Sequence, residues 1–209
     1  MKQTQRLLLV FLLFVTVAAK AQETVIIGTQ TWMVKNLDVT TYRDGTAIPQ
    51  VTDPAAWGAL TTGGWCYYNN DPANGILYGK LYNWYAVNDP RGLAPAGFHV
   101  PSDGEWTTLS TTLGGLSVAG GKMKSTGTTL WTSPNAGADN SSGWAGLPGG
   151  FRDYYGPWFS MVGNGGCWWS TAEAAVSDAW CRTLSCWYGN MGRFTHKKKD
   201  GVPVRCLAD

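Results

Sequence analysis

Few side chains in this sequence are of the kinds that do chemistry, and the cysteines are the most informative of them. The two histidines, His99 and His196, lie far apart and show no zinc-type spacing with the cysteines. Three cysteines fall in one C-terminal stretch and two lie elsewhere: Cys66, Cys167, Cys181, Cys186 and Cys206. An odd number cannot pair completely within one chain, and two bridges alone could be arranged in about fifteen ways. The spacing leaves metal binding undecided, and we interpret His99 as a structural residue.

Two familiar catalytic patterns are incomplete in this chain. Gly115–Met123 has some glycines of a phosphate-binding loop, but Leu116 replaces the required first glycine and Met123 the hydroxyl residue after the lysine. A glycosidase needs two carboxylates across a cleft, and no spacing of acidic residues singles out such a pair. We therefore expect neither nucleotide binding nor glycoside hydrolysis, and we interpret the protein as non-catalytic.

Two oxygen-rich loops are the remaining candidates for a cofactor. Asp139–Gly143 and Asn69–Asp71 could help to hold calcium, because hard cations prefer oxygen ligands. The spacing of an EF-hand loop is absent, and Asn and Asp in such loops commonly form Asx-turns instead. We expect no cofactor, with calcium as the one ion that these loops could bind.

Helical patterns occur in the middle of the chain. Leu77, Leu81, Trp84 and Tyr85 recur at the spacing that lines one helix face, which predicts a helix with that face in the core. A second helix is predicted from Ser102, where Ser102 and Glu105 form the pattern of a capping box. Its apolar stripe consists of Trp106, Leu109 and Leu113. The pair Gly114-Gly115 is expected to end it.

Strand patterns occur at both ends of the chain. Thr24–Ile27 and Gln30–Met33, separated by a Gly-Thr pair, predict an opening hairpin. Four β-rich runs predict an antiparallel meander near the C-terminus: Cys167–Thr171, Ala179–Leu184, Met191–Thr195 and Val202–Leu207. Strands at both ends and helices between them indicate an α+β fold with short antiparallel sheets, two short helices and long loops.

The first 21 residues have the pattern of a secretory signal peptide. Lys2 and Arg6 precede the apolar run Leu7–Val17, and an Ala-Lys-Ala triplet ends at Ala21. The run is too short for a membrane span, which needs about 20 residues. We expect cleavage after Ala21 and one mature domain over residues 22–209, without a transmembrane segment, that is secreted, periplasmic or at the cell surface.

The charge distribution argues against a nucleic-acid partner. Loss of the predicted signal peptide leaves 13 of the 16 basic side chains against 14 acidic ones, a net charge of −1. Binding to a polyanion needs clustered Lys and Arg, and the one basic run is Lys197–Lys199. It precedes Asp200-Gly201, a favoured hairpin-turn pair, so we interpret the run as a solvated loop tip.

Seven blocks of the sequence together resemble the Fibrobacter succinogenes major paralogous domain, from Thr24 to Leu207. The blocks are Ile27–Leu37, Tyr42–Gly45, Tyr78–Val87, Pro95–Ser102, Leu147–Arg152, Trp168–Thr171 and Val204–Cys206. The resemblance implies a bacterial secreted or surface protein. Through its Gly-Phe-x-x-Pro-Ser-x-x-Glu-Trp block it also implies a C-type-lectin-like fold of the formylglycine-generating-enzyme branch. No biochemical activity comes with the family.

The resemblance has consequences for the cysteines. Cys66 and Cys206 lie in blocks that match the family well, which makes them the expected disulfide pair, whereas the pairing of Cys167, Cys181 and Cys186 stays open. Cys181 and Cys186 are five positions apart, like the copper-binding pair of formylglycine-generating enzymes. In those enzymes a Gly-Gly-Ser-aromatic block shortly precedes the pair, but here the corresponding block lies well upstream, at 165–168. A copper-thiol oxidase is therefore the weaker interpretation.

The resemblance also indicates a binding face, because loops carried by the terminal sheet form that face in lectin-like folds. Trp168–Lys199 is the equivalent segment, in which we expect Trp168 and Trp180 in the core and Trp187–Asn190 exposed. We predict a non-catalytic recognition protein for an unknown protein or glycan ligand. The candidate ligand-binding residues are Trp187, Tyr188, Asn190, Arg193 and His196. The alternatives are a structural envelope protein, a copper-thiol oxidase and a binding protein whose C-terminal segment is diversified by a retroelement.

Overall fold

The computed structural model describes residues 22–209, so the predicted signal peptide lies outside the described residues. The chain first forms β1 (Thr24–Ile27), β2 (Gln30–Met33), α1 (Pro54–Ala59), β3 (Trp65–Cys66), a 3-10 turn (Tyr68–Asn70), α2 (Pro72–Tyr78), β4 (Leu81–Tyr82), α3 (Trp84–Val87) and β5 (Phe98–His99). It continues with α4 (Asp103–Thr112), α5 (Leu116–Met123), β6 (Phe151–Arg152), β7 (Phe159–Ser160), β8 (Gly165–Ala175), β9 (Asp178–Ser185), β10 (Tyr188–Lys197) and β11 (Leu207–Ala208). None of the helices over residues 22–209 is long and apolar enough to cross a membrane.

The strands form several short antiparallel sheets, which agrees with the predicted α+β class. A four-stranded sheet has the order β1-β2-β11-β5, and a three-stranded sheet of longer strands has the order β10-β9-β8. The pairs β3–β4 and β6–β7 make two smaller sheets. The predicted opening hairpin is confirmed, with Ile27 opposite Gln30 across the turn.

The predicted C-terminal meander is correct for three strands and wrong for the fourth run. β8, β9 and β10 pair in sequence order, but the chain then leaves this sheet and only Leu207–Ala208 becomes a strand, in another sheet. Pro203 interrupts the fourth run, because proline has no amide hydrogen for a sheet ladder. Its carbonyl oxygen instead accepts a hydrogen bond from the Trp169 amide at 3.1 Å.

Helix α4 begins as its capping pattern predicts. The Ser102 hydroxyl accepts from the Glu105 amide at 3.2 Å, and the Glu105 carboxylate accepts from the Ser102 amide at 2.7 Å. Trp106 and Leu109 are fully buried on the inner face. The capping box thus fixes the helix end that points towards the C-terminal sheet.

The helix predicted from Leu77 to Tyr85 does not form as one element. α2 ends at Tyr78, because Gly79 adopts φ +74°, a conformation that glycine takes at little cost. Leu81 then lies in β4, and α3 is a separate single turn. Leu77 is half exposed, so the predicted core face is wrong at that position, although Leu81 and Trp84 are buried.

Tryptophan side chains build much of the core. Four of them pack in a chain, Trp32, Trp106, Trp144 and Trp168, with successive ring centroids between 4.7 and 5.8 Å apart. Such tilted and edge-on pairs add stabilisation beyond the area that they bury. Trp168 is in the core as predicted, whereas Trp180 is only partly buried.

The lysine run near the C-terminus is not the solvated loop tip that its sequence predicts. Lys198 is buried, forms an ion pair with Glu173 at 2.9 Å, and lies 4.7 Å above the Trp84 ring. Asp200 is also buried. A lysine can bury its long stem and keep its charge paired, and Asp200 receives hydrogen bonds that a sequence does not reveal.

Candidate functional site

The two faces of the sheet β8–β9–β10 differ, and the strand register decides which side chains share a face. Cys167 lies opposite Thr183, Cys181 lies opposite Trp169, and Phe194 lies opposite Cys181 on its other side. Residues paired directly across antiparallel strands point to the same face, so these five side chains share one face. We call it the cysteine face, and we call the opposite side, which packs on α4, the helix face.

The helix face is held to α4 by a network of charges. Asp103, the first residue of α4, lies 2.5 Å from Nη1 of the buried Arg182 and 3.1 Å from Nη2 of Arg193. The Arg193 guanidinium also stacks 3.3 Å from the Trp180 ring centroid. Burial raises the pKa of Asp103, but the hydrogen bonds and charges of the two arginines outweigh it and hold that pKa below its ordinary value. The network fixes the sheet against the helix.

The outer part of the cysteine face carries an open groove of about 360 Å³. Tyr188 and Phe194 line it with rings that are 64% and 60% exposed. Asn190 and Met161 also line the groove, together with the hydroxyl residue Thr183. The groove therefore combines exposed apolar rings with a few hydrogen-bonding groups, which is the composition of a binding surface.

The hairpin turn that borders the groove is held from beneath by a buried lysine. Lys124 follows α5, and its ammonium donates to the carbonyl oxygens of Ser185 at 2.8 Å, Tyr188 at 2.9 Å and Ala136 at 2.7 Å. Burial lowers the pKa of Lys124. Because three fixed carbonyls share one charged donor, the β9–β10 turn is held in a defined position.

The glycines that resemble a phosphate-binding loop serve close packing against this turn. A Cβ added at Gly120 would lie 2.1 Å from the Asn190 carbonyl oxygen, and one added at Gly121 would lie 2.2 Å from the Gly137 carbonyl oxygen. In the structure this segment is helix α5 rather than a loop. Gly120 thus lets the helix backbone approach β10 directly, and Gly121 lets it approach the backbone at Gly137.

The inner part of the cysteine face brings two thiols and one imidazole close together. The Cys167 and Cys181 sulfurs and a ring nitrogen of His196 all lie within 4.8 Å of one another. The His196 Nδ1 atom is 2.9 Å from Asp200 Oδ2, and the ring packs edge-on against Phe151 with centroids 4.6 Å apart. Both sulfurs are buried, and these residues could hold a metal ion.

The two thiols of this cluster differ in acidity. Burial raises the pKa of Cys167 well above its ordinary value. The hydrogen bond with Cys167 lowers the pKa of Cys181 against the effect of burial, and the charges of His196 and Arg182 act in the same direction. Burial disfavours the imidazolium of His196, but Asp200 and Cys181 outweigh it and raise the pKa of His196. One acidic thiol therefore lies beside an imidazole and a carboxylate.

The structure does not make the cysteine pairs that the resemblance implies. All five cysteines are free and buried. Cys66 packs in a small cluster with Trp57, whereas Cys206 belongs to a separate core cluster, and burial raises their pKa values to about 11 and about 12. Cys181 and Cys186 also belong to different clusters. Cys181 instead meets Cys167, a neighbour across the sheet that spacing along the chain cannot reveal.

The oxygen-rich loops use their side chains to form turns. The Asp139 carboxylate accepts from the Ser141 amide at 2.8 Å, and the side-chain oxygen Oδ1 of Asn140 accepts from the Ala145 amide at 2.9 Å. In the other loop, Asp71 accepts from the Ala73 amide at the start of α2. The contacts of Asp139 and Asp71, each to the amide two residues on, are the Asx-turns that we weighed against calcium binding. The calcium prediction itself stays a prediction.

A second exposed aromatic surface lies on the β6–β7 hairpin. Tyr155 and Trp158 are 76% and 62% exposed, and Tyr154 packs 6.3 Å from Tyr155 between ring centroids. None of its residues is among the predicted ligand-binding residues, although three aromatic residues around a Gly-Pro pair are a visible signal for an exposed turn.

The structure separates the five residues predicted to bind ligand. Tyr188 and Asn190 line the groove, and Trp187 is half exposed in the turn beside them. Arg193 lies on the helix face in the pair with Asp103. His196 is on the cysteine face but lies deeper, with the two cysteines.

Six of the eight residues that line the groove were not predicted to bind ligand: Met161, Thr183, Leu184, Ser185, Gly192 and Phe194. Phe194 could have been predicted, because side chains in a strand point alternately to its two faces. Phe194 lies at an even spacing from Tyr188 and Asn190, both of which were predicted. Met161 belongs to the loop after β7 and reaches the groove only through the tertiary fold.

A family model described as the Fibrobacter succinogenes major domain matches residues 25–208 of this chain. The match covers the opening hairpin, the helices and the whole C-terminal sheet, including both the groove and the cysteine cluster. Comparisons with curated proteins and with solved structures gave no match.

Proposed function

The chain belongs to the Fibrobacter succinogenes major domain family, and from that premise we propose that it is a secreted or cell-surface recognition protein without catalytic activity. Its ligand, a protein or a glycan, binds in the groove lined by Tyr188, Asn190 and Phe194. The proposal includes export directed by residues 1–21 and a C-type-lectin-like fold of the formylglycine-generating-enzyme branch.

The exposure of two aromatic rings in one groove is the observation that carries the proposal. Tyr188 and Phe194 leave more than half of their surface in water, which costs free energy that a ligand would recover by covering them. Tyrosine also offers a hydroxyl, and Asn190 offers both a donor and an acceptor. Such a mixture suits a ligand with alternating apolar and polar surfaces, as both sugars and protein side chains have.

The backbone that carries the groove residues is held by buried polar contacts, which favours a recognition role over a purely structural one. Lys124 fixes the turn carrying Tyr188, and the Asp103 network fixes the sheet to α4. A preorganised surface loses little conformational entropy on binding, and this raises affinity for a given set of contacts.

The chemistry of the groove lining supports a binding role over an enzymatic one. The described residues that line it offer hydroxyl, amide, thioether and apolar groups, with no carboxylate, imidazole, amine or thiol among them. General acid–base catalysis needs a group whose pKa can be brought near the working pH. The lining is therefore suited to holding a ligand rather than to transferring its protons.

A screen of the purified, exported protein on glycan and surface-protein arrays, with and without calcium, tests this proposal. We expect a ligand whose affinity falls by at least about 30-fold in the Y188A/F194A variant, because truncating an aromatic hot-spot residue costs about 2 kcal/mol or more. The melting temperature should stay nearly constant, since both rings are exposed.

The Y155A/W158A variant is the matched control, because it removes two equally exposed rings from the β6–β7 hairpin. It should bind as the unmodified protein does. Loss of binding in this variant and retention in Y188A/F194A would move the site to the hairpin. A protein that binds nothing on either array would contradict the recognition role.

A further inference from the structure

We propose that Cys167, Cys181 and His196 form a site for one zinc(II) ion, with a fourth coordination position that faces a small adjoining cavity. This site lies on the inner part of the cysteine face, and zinc binding there does not depend on ligand binding in the groove.

The sheet itself arranges the three donors. Cys167 pairs with Thr183, and Cys181 is two residues from Thr183 on the same strand, so the two cysteines are diagonal neighbours on one face. His196 lies opposite Ala179, two residues from Cys181, and completes the diagonal from the third strand. Three consecutive strands thus each supply one donor at fixed spacing.

The separations of the donor atoms suit a single ion. Zinc binds sulfur at about 2.3 Å and imidazole nitrogen at about 2.0 Å, so two sulfurs on one tetrahedral zinc lie about 3.8 Å apart. The three donor atoms here all lie within 4.8 Å of one another. Side-chain rotations that move the sulfurs by less than about an ångström would bring them to bonding distance, with the strands unchanged.

A carboxylate is already in place to orient the histidine. Asp200 Oδ2 lies 2.9 Å from His196 Nδ1, and this buried carboxylate also accepts from the amides of Lys197 at 3.1 Å and Tyr154 at 3.0 Å. When Nδ1 donates its hydrogen to Asp200, Nε2 keeps a lone pair for a metal. This is the carboxylate–histidine–metal arrangement that fixes the tautomer in zinc proteins.

Charge and space favour zinc(II) over copper(I). Two thiolates and one Zn²⁺ make a neutral centre, which a buried position tolerates, whereas Cu⁺ would leave a net negative charge beside Asp200. A cavity of about 80 Å³ adjoins Cys167 and His196 and is bordered by Met161 and Phe151. It has room for a water molecule, whose share of liquid volume is about 30 Å³, as a fourth ligand.

Two other uses of these side chains fit the structure less well. A thiol nucleophile would need access for substrate, but both sulfurs are buried. A disulfide would consume both thiols, whereas the structure has each of them free. A bound zinc ion would protect the same two thiols from oxidation.

The test is zinc binding by the exported protein after its thiols are reduced and the reductant is removed without oxygen. We expect one zinc per chain by intact-mass measurement under native conditions. Cobalt(II) in place of zinc should give the sulfur-to-metal charge-transfer absorption of a site with two thiolates. Competition with a chromophoric chelator gives the affinity.

Variants separate the site from the rest of the molecule. C181S and H196Q should weaken zinc binding at least about 100-fold, and D200N about 10-fold to 100-fold. C186S is the matched control, because Cys186 is also buried and free but lies in another core cluster. If C181S fails to fold, H196Q decides the matter, since its ring lies partly at the surface.

Several results would overturn the proposal. They are the absence of one-to-one zinc binding, equal binding by H196Q and the unmodified protein, binding of copper(I) but not zinc, and a Cys167–Cys181 disulfide in the exported protein. Loss of array binding in Y188A/F194A with zinc binding intact would show that the two sites are independent.

Discussion

The ion pair between Asp103 and Arg182 allows a sharp test of how the C-terminal sheet is held. The Arg182 side chain is 1% exposed and its Nε has no partner among the described residues, whereas the Asp103 side chain is 24% exposed. The substitution Asp103→Asn keeps the shape and removes the charge. Besides the new amide oxygen, it leaves the Arg182 guanidinium two neutral acceptors, the Asp103 carbonyl oxygen at 3.1 Å and the Thr107 hydroxyl at 3.2 Å.

The expected loss follows from these contacts. Removing one partner of a fully buried ion pair costs about 3–5 kcal/mol. The two neutral acceptors and the partial exposure of Asp103 reduce this cost, and the lost charge at the N-terminus of α4 adds about 0.5 kcal/mol. We therefore expect D103N to lower the free energy of unfolding by about 2–3 kcal/mol, which corresponds to a fall in melting temperature of about 5–10 °C for a domain of this size.

Urea unfolding at neutral pH measures this loss, and E23Q provides the control. Glu23 forms a pair with Lys35 at 3.9 Å in which both side chains are largely exposed, so its loss should change stability by less than about 0.5 kcal/mol. A D103N effect as small as that of E23Q would refute the argument that the buried guanidinium depends on this carboxylate.

The pH dependence gives a second measurement on the same pair. Burial raises the pKa of Asp103, but Arg193 and Arg182 outweigh it, so the folded pKa lies below the unfolded one. The stabilisation is then complete above the unfolded pKa of about 3.9 and is lost as the pH falls through the folded pKa. The difference between the unmodified protein and D103N should be constant from neutral to mildly acidic pH and shrink only in strong acid.

Two further predictions concern other parts of the molecule. Burial lowers the pKa of His99, but hydrogen bonds with Asp209 and Glu105 outweigh it and raise that pKa; its stabilisation is therefore present below the unfolded pKa of about 6.5 and is lost as the pH rises through the folded pKa. Melting temperatures on both sides of neutrality should show this decline in the unmodified protein and not in H99Q. Gly150 has φ +61°, and an added Cβ would lie 2.2 Å from a backbone carbonyl oxygen of β7, whereas Gly97 has φ +82° in open space. G97A should cost about 1–2 kcal/mol and G150A clearly more, and equal losses in urea unfolding would show that the close contact is unimportant.

Local patterns predicted those parts of the fold that local interactions decide. The opening hairpin and the capped helix α4 were correct because a two-residue turn and a capping box involve neighbours along the chain. The helix from Leu77 failed because the apolar spacing continued through Gly79, where the backbone turns away. Periodicity counts side chains and does not show where one glycine ends the helix.

The candidate site was predictable in part, for a related reason. Tyr188 and Asn190 were found because a turn between strands exposes its residues wherever the sheet lies. The side of the sheet on which Arg193 and His196 fall depends on strand register. Strand register also places the Cys167 side chain close to that of Cys181, although the two residues are 14 positions apart in sequence. No spacing rule along one chain contains that information.

The position of β11 has a consequence for how the molecule is made. Leu207 lies between Trp32 of the opening hairpin and His99 of β5, so an inner strand of the four-stranded sheet is synthesised after the other three strands of that sheet. Until β11 is synthesised, the edges of β2 and β5 that pair with it have no strand to bond to. Contacts between segments so distant in sequence slow the search for the native state, and this sheet cannot close in a growing chain until Leu207 has been synthesised.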